Sequence, residues 1–273
     1  MANSYPCRIR LADYEIRNPM LMLRDMDTAL LEDSDVMGWS FPMGVVYFQR
    51  RGVNMTVTFY CPAYPITTSG EAPSGHSDSS ASVGAGSSVS SNQDNSFAVG
   101  ISMDIAVEAF LLGLGFDSVT LKLQHESIRL DFQEPIVPHF PPVDHAIIPV
   151  TQLNVDMVSF IGLGDEGQIP TTILYDTFAR LSGYMGPHFI VVRPHYGFVF
   201  YAQTTVRTRY PLHGVGAVGG RFSINPNELM HMLSISSGEM AHLLLREEKL
   251  HLSFDVVRIE KARVVVAIPQ FGE

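Results

Sequence analysis

Residues 118–132 read SVTLKLQHESIRLDF and residues 240–254 read MAHLLLREEKLHLSF. Each is two alternating apolar and polar runs about a short polar turn, the pattern of paired antiparallel strands with one buried face. Ahead of the first lies ISMDI at 101–105, and ahead of the second INPNE at 224–228. The offset is 123 residues for the lead-in (224 − 101) and 122 for the strand pair (240 − 118). Two spacings that agree within one residue identify an internal repeat, each copy a strand, a helix and a tight strand pair.

A further helix precedes this unit in both copies. From residue 18 to 103 is 85 residues and from 176 to 226 is 50, and the excess of 35 is mostly one insertion, residues 68–96. That segment is nearly all Ser, Gly, Ala, Asn, Asp and Gln, the composition of a flexible loop, either a tether open to modification or an inert insertion. Residues 152–167, QLNVDMVSFIGLGDEG, read as an extended connector whose apolar residues need a surface to lie on. The expected organisation is a first repeat over 1–151, a connector over 152–167 and a second repeat over 168–273.

Alternation and β-branched or aromatic content predict strands at 7–12, 45–50, 54–60, 119–123, 128–132, 189–193, 198–204, 241–246, 250–256 and 262–268. Four short helices interrupt them. The first is expected over about 18–31, with Asn18 as N-cap and Pro19 at its first position. The second is expected over 103–112. The third, over 176–184, has Asp176 or Thr177 as cap, and the fourth, over 226–233, follows Asn225-Pro226 with Glu228 in its first turn. The fold class is α+β, dominated by antiparallel sheet.

The 273 residues are 46% apolar and 17% charged, enough to bury one large core or two ordinary ones. A formal net charge of −10 opposes generic attraction to nucleic acid or anionic membrane, so any DNA contact must be local. Only Lys122, Lys249 and Lys261 are lysines, and no polybasic tail exists. Cys7 and Cys61 could form at most one bridge, which excludes a disulfide-dense scaffold and favours a reducing compartment. No run of about 18 apolar residues predicts a transmembrane helix, and residues 1–11 lack the apolar stretch of a signal peptide. The expectation is a soluble intracellular protein.

Gly214-Val215-Gly216-Ala217-Val218-Gly219 satisfies G-x-G-x-x-G literally. A dinucleotide site needs a helix opening directly at the glycines so that its N-terminal amides meet a pyrophosphate. Here Pro211 precedes and a strand at 222–224 follows, so the reading is a loop between strands. His139 and His145 flank a Pro-rich turn, and His188 and His195 flank a strand, without the spacing of a zinc site. There is no G-x-S-x-G, no P-loop and no acid pair on one element, so no metal, no cofactor and no catalytic residue is expected.

Two β-rich halves, each with two short helices and joined by a long connector, resemble the eukaryotic sliding-clamp family. Thr177-Phe178-Ala179-Arg180-Leu181 resembles the phrase that opens the first helix of the second half in PCNA. Residues 97–135 resemble the helix and strand pair that close the PCNA first half, and Val266-Ala267-Ile268-Pro269 resembles the family's last strand and its turn. The resemblance covers roughly residues 97–269. It implies a three-membered ring with antiparallel sheets outside and helices lining a hole for duplex DNA, and no enzymatic activity.

On that resemblance, the residues facing DNA would be Arg17, Arg24, Arg180 and His231. The second helix departs from the pattern, with Asp104 and Glu108 and no base. A client-peptide pocket would use Val155, Met157 and Ile161 on the connector over Val266, Ile268 and Pro269, unless these simply pin the connector to the core. Ring closure would use 119–132 of one subunit against 189–204 of its neighbour. The sparse, lysine-free helices make the chain most like a compact subunit of the nine-one-one checkpoint clamp, and its end at Glu273, just after the last strand, points the same way. Implied partners are two other clamp subunits, a clamp loader, repair and checkpoint proteins and duplex DNA, in the nucleus, with no membrane. The alternative within the fold is a PCNA-like homotrimeric replication processivity factor. A nucleotide-dependent enzyme built on the glycine loop ranks last.

Overall fold

A computed structural model describes residues 7–10, 16–26, 35–40, 43–65, 96–136, 143–153, 155–156, 167–193, 197–202, 205–210 and 219–271. The first half runs β1 (Cys7–Arg10), α1 (Arg17–Arg24), β2 (Val36–Ser40), β3 (Val45–Arg51), β4 (Thr56–Pro62), β5 (Tyr64–Pro65), β6 (Phe97–Ile101), α2 (Met103–Leu112), β7 (Phe116–Leu123), β8 (Ser127–Pro135) and β9 (His145–Gln152). The second runs β10 (Gln168–Pro170), α3 (Thr171–Ser182), β11 (His188–Arg193), β12 (Gly197–Ala202), β13 (Thr205–Tyr210), β14 (Gly220–Ile224), α4 (Pro226–Leu233), β15 (Ser236–Arg246), β16 (Lys249–Val256) and β17 (Arg263–Pro269). The repeat is thus realised: β6-α2-β7-β8 in one half answers β14-α4-β15-β16 in the other.

A 13-stranded sheet has the order β10-β15-β16-β17-β4-β3-β2-β6-β9-β8-β7-β1-β5, and a four-stranded sheet has β13-β12-β11-β14. The halves join where β17 pairs antiparallel with β4, Val266 opposite Val57. Both strands are central, since β4 also pairs with β3 and β17 with β16. Period-2 alternation sends Val57, Phe59, Val264, Val266 and Ile268 to one face, where one apolar core packs against all four helices. The helices answer with residues at helical spacing, Met103, Val107 and Phe110 on α2 and Leu174, Phe178 and Leu181 on α3.

The second and fourth helices occupy the expected residues, and Asn225 caps α4, its Oδ1 accepting from the Asn227 amide at 3.2 Å. The first differs: α1 begins at Arg17, and residues 27–34 lie outside the described ones. The third also differs, beginning five residues earlier than expected, at Thr171. Extended Pro170 precedes Thr171, and the apolar series starts at Leu174, so the helix is set by core spacing and not by the Asp176-Thr177 pair. Thr177 lies inside the helix, its hydroxyl donating to the Ile173 carbonyl at 2.8 Å. Gln152 belongs to β9 and not to the connector, and the 68–96 insertion falls almost wholly outside the described residues.

Candidate functional site

The helices pack in pairs, α1 on α2 and α3 on α4, each pair leaving one face away from the sheets. Arg17 and Arg24 are exposed on α1, Arg180 on α3 and His231 on α4. The same exposed faces carry Asp104, Ile105 and Glu108 on α2 and Ile173, Tyr175 and Asp176 on α3. Arg24 donates through Nε to Asp25 Oδ1 at 2.8 Å. That hydrogen bond, with the fields of Asp25, Asp104 and Glu108, holds its guanidinium further above its ordinary range. The four candidate DNA-facing residues therefore sit on helix surfaces, interleaved with acids.

Arg50 holds the α1–α2 pair in place, and the motif reading missed it. Its Nη1 donates to the carbonyls of Leu23 at 3.1 Å and Arg24 at 3.0 Å, the unpaired C-terminal acceptors of α1, and to Asp104 Oδ1 at 3.3 Å. Its Nε lies 3.7 Å from Asp35 Oδ1, while Asp35 Oδ2 accepts the Met103 amide at 3.0 Å, at the start of α2. One buried ion pair thus terminates two helices. Burial pushes the Asp35 carboxyl up, against the opposing pull of Arg50 and the Met103 amide. A signal was present: Arg50 shares the parity of Val46 and Phe48, which point into the core.

The sheet edges differ from expectation. β7 lies between β1 and β8, and β8 between β7 and β9, so 119–132 presents no open edge. β11 and β12 are likewise flanked on both sides. Open edges among the described residues include β13 and β14, the two ends of the four-stranded sheet, and β9, which pairs with β8 along His145–Pro149 but meets β6 only at Val150 and Gln152. Hairpin partners consume each other's ladder groups, so free N–H and C=O groups remain on β13 and on the stretch of β9 that β6 does not reach.

On the face opposite the main core, Val155 donates its amide to the Ala98 carbonyl at 3.2 Å and packs on a second apolar cluster of Val36, Tyr47, Tyr60, Ala98 and Val265. The Tyr47 and Tyr60 rings lie 6.0 Å apart, and burial pushes the Tyr60 phenol well up. Tyr47 occupies the space a side chain at position 38 would need, for a Cβ on Gly38 would overlap its ring. The proposed pocket floor is corrected accordingly. Val266 and Ile268 belong to the main core, on the other side of β17, and the residue beneath Val155 is Val265. Pro269 is exposed at the strand end, and Met157 and Ile161 lie outside the described residues.

Residues 214–218 of the glycine run lie outside the described ones, and β14 stands between Gly219 and α4. Among the described residues no group of three or more His, Cys, Asp or Glu is placed to hold a metal ion, and no helix is long and apolar enough to cross a membrane.

No family model matches the sequence, and no curated protein matches it. Solved structures do match in three dimensions. The PCNA2–PCNA3 complex from Sulfolobus tokodaii aligns with a TM-score of 0.52 at 8% identity, over 98% of this chain and 100% of that one. DNA polymerase III subunit beta from Borrelia burgdorferi, solved with a natural product, aligns with a TM-score of 0.58 at 8% identity, over 98% of this chain and 65% of that one. With the doubled strand-and-helix plan, these likenesses define the class: the chain has the sliding-clamp fold.

Proposed function

We propose that this chain is a non-catalytic subunit of a ring-shaped clamp that encircles duplex DNA. The observation that carries the reading is the doubled clamp fold over 98% of the chain, with an open strand edge in each half, β9 in the first and β13 in the second. Head-to-tail pairing of β9 with the β13 edge of a neighbour would satisfy both rows of backbone groups, and a rotation that closes gives a ring. Arg17, Arg24, Arg180 and His231 would then meet phosphates without reading sequence, in salt-dependent contacts that permit sliding.

The finer reading is a heterotrimer of the checkpoint type, loaded by a clamp loader at damaged DNA in the nucleus. Its support is the weak basic lining, since acids share the helix faces and Arg24 is engaged by Asp25. Two partner subunits with more basic helices would carry most of the phosphate contact. The connector, beginning after Gln152, would join the two repeats, and repair and checkpoint proteins would dock at the connector face around Val155 and Val265. The second reading is a PCNA-like homotrimer serving replication, in which the two open edges of one chain would pair with those of its own copies. Light scattering on the purified chain at micromolar concentration separates the two. The checkpoint reading expects a monomer of 30.2 kDa, and a stable trimer would overturn it. Retention on closed circular DNA but not on linear DNA, with the partners and loader present, tests encirclement itself.

A further inference from the structure

The first-half sheet has a second face, away from the helices, with its own chemistry. Cys7, Ile9, Val119, Leu121, Ile128 and Leu130 point into the core, so Arg8, Thr120, Lys122, Arg129 and Asp131 point outward. Arg8 is the register partner of Thr120, Thr120 of Asp131, and Lys122 of Arg129. Lys122 and Arg129 therefore flank the Asp131 carboxylate, and Arg8 stands across Thr120 from it, so three cations and one carboxylate share this face in a chain of net charge −10.

Asp131 is fully used. Its Oδ2 accepts from Lys122 Nζ at 2.7 Å and its Oδ1 from Arg129 Nε at 2.6 Å. Those two hydrogen bonds outweigh desolvation and hold its carboxyl below the usual range. Arg8 Nε and the Thr120 hydroxyl, in contrast, are buried without a hydrogen-bond partner, and Thr120 is only 1% exposed. Orphaned buried donors are uncommon in folded proteins, and two side by side on neighbouring strands call for an acceptor.

We propose that Arg8, Thr120 and Lys122 bind a single phosphate monoester carried by a partner protein. A guanidinium N–H, a hydroxyl and the ammonium protons not engaged by Asp131 suit a tetrahedral group with three terminal oxygens better than a carboxylate with two. Nucleic acid fits less well, because tracking a backbone takes a line of cations. Here the cations form one knot, flanked by Asp131 and by Asp144, whose Oδ1 lies 2.6 Å from His145 Nδ1. These carboxylates would repel the next phosphate on either side. The site does not depend on ring closure.

The test titrates the full chain with inorganic phosphate, with a blocked phosphoserine, with the matching blocked glutamate and with duplex DNA, following the amide resonances of Arg8 and Thr120. The expected result is saturable binding of phosphate and phosphoserine at Arg8 and Thr120, weakened at least about fivefold by Lys122→Gln. Arg8→Gln should weaken it as much, and Lys122→Gln, at a half-exposed side chain, keeps the test readable if Arg8→Gln fails to fold. Asp131→Asn should tighten binding, since it removes the competing carboxylate; a purely structural role for Asp131 would not. Absence of phosphate binding, equal affinity in wild type and Lys122→Gln, glutamate binding as tight as phosphoserine, or duplex DNA binding through the same residues would each overturn the proposal.

Discussion

Replacing Arg50 by methionine should destabilise the protein more than any comparable change outside the apolar core. The substitution keeps most of the side-chain volume and removes the charge, leaving the Leu23 and Arg24 carbonyls and the Asp35 carboxylate without their cation. Breaking one partner of a buried ion pair costs about 3–5 kcal/mol, and two stranded carbonyls place the change at the upper end. Arg50 is 8% exposed, so solvent screening does little to reduce that figure. The effect should depend on pH in a definite direction. Burial already raises Asp35 in the folded protein, and loss of Arg50 raises it further. A carboxyl with a raised folded value binds its proton more tightly folded than unfolded, so its penalty is absent below the unfolded value near 4 and develops as pH rises through the folded value. Urea denaturation followed by circular dichroism should therefore find Arg50→Met closer to wild type at pH 4 than at pH 7.5. The double variant with Asp35→Asn should recover part of the loss at pH 7.5. A loss under about 1 kcal/mol at neutral pH, or one independent of pH, would refute the role assigned to the pair.

The β15–β16 turn places Glu247 at φ 53° and Glu248 at φ 59°, both left-handed, where non-glycine residues cost roughly 1–2 kcal/mol each. Replacing the pair by Asn-Gly should raise the melting temperature, and no gain would show that the turn is relaxed by other contacts. Gly38→Ala must displace the Tyr47 ring and should lower stability by about 1–3 kcal/mol, measured by thermal denaturation. Burial pushes both cysteine thiols, Cys7 and Cys61, up to about 12, so neither should react with a thiol reagent at pH 8 until denaturant is added. Rapid native labelling would contradict their burial. Burial lowers His251 in the folded state, so unfolding takes up a proton there, and stability should fall as pH drops through the ordinary histidine value near 6.5. His251→Gln should flatten that slope.

Helix α2 and helix α4 were legible to the residue because their limits are local: Asn225 caps, Pro226 opens, and apolar spacing starts at the cap. Helix α3 was displaced because its first turn, Thr171-Thr172-Ile173, carries no strong helical signal, and only the packing of Leu174, Phe178 and Leu181 on the sheets extends it back to Pro170. The surface arginines of the candidate DNA face could be named from sequence, but not the fields of Asp104 and Glu108 on Arg24, which depend on α1 lying against α2. Val265 and Val266 illustrate the same limit. Both are valines of one strand, and only the pairing of β17 with β4 tells which side meets Val155 and which meets the helices.

Periodicity and spacing, properties of neighbouring residues, were sufficient to establish a doubled α+β chain with two helices and a tight strand pair in each half. Which strands end up at open edges, which arginine enters the core and which donors are left without acceptors depend on contacts between residues far apart in the chain. Arg50 reaches carbonyls 26 and 27 positions away and Asp104 at 54. Such partners are set by the closing of the sheet and not by local propensity, so only the tertiary structure could decide them.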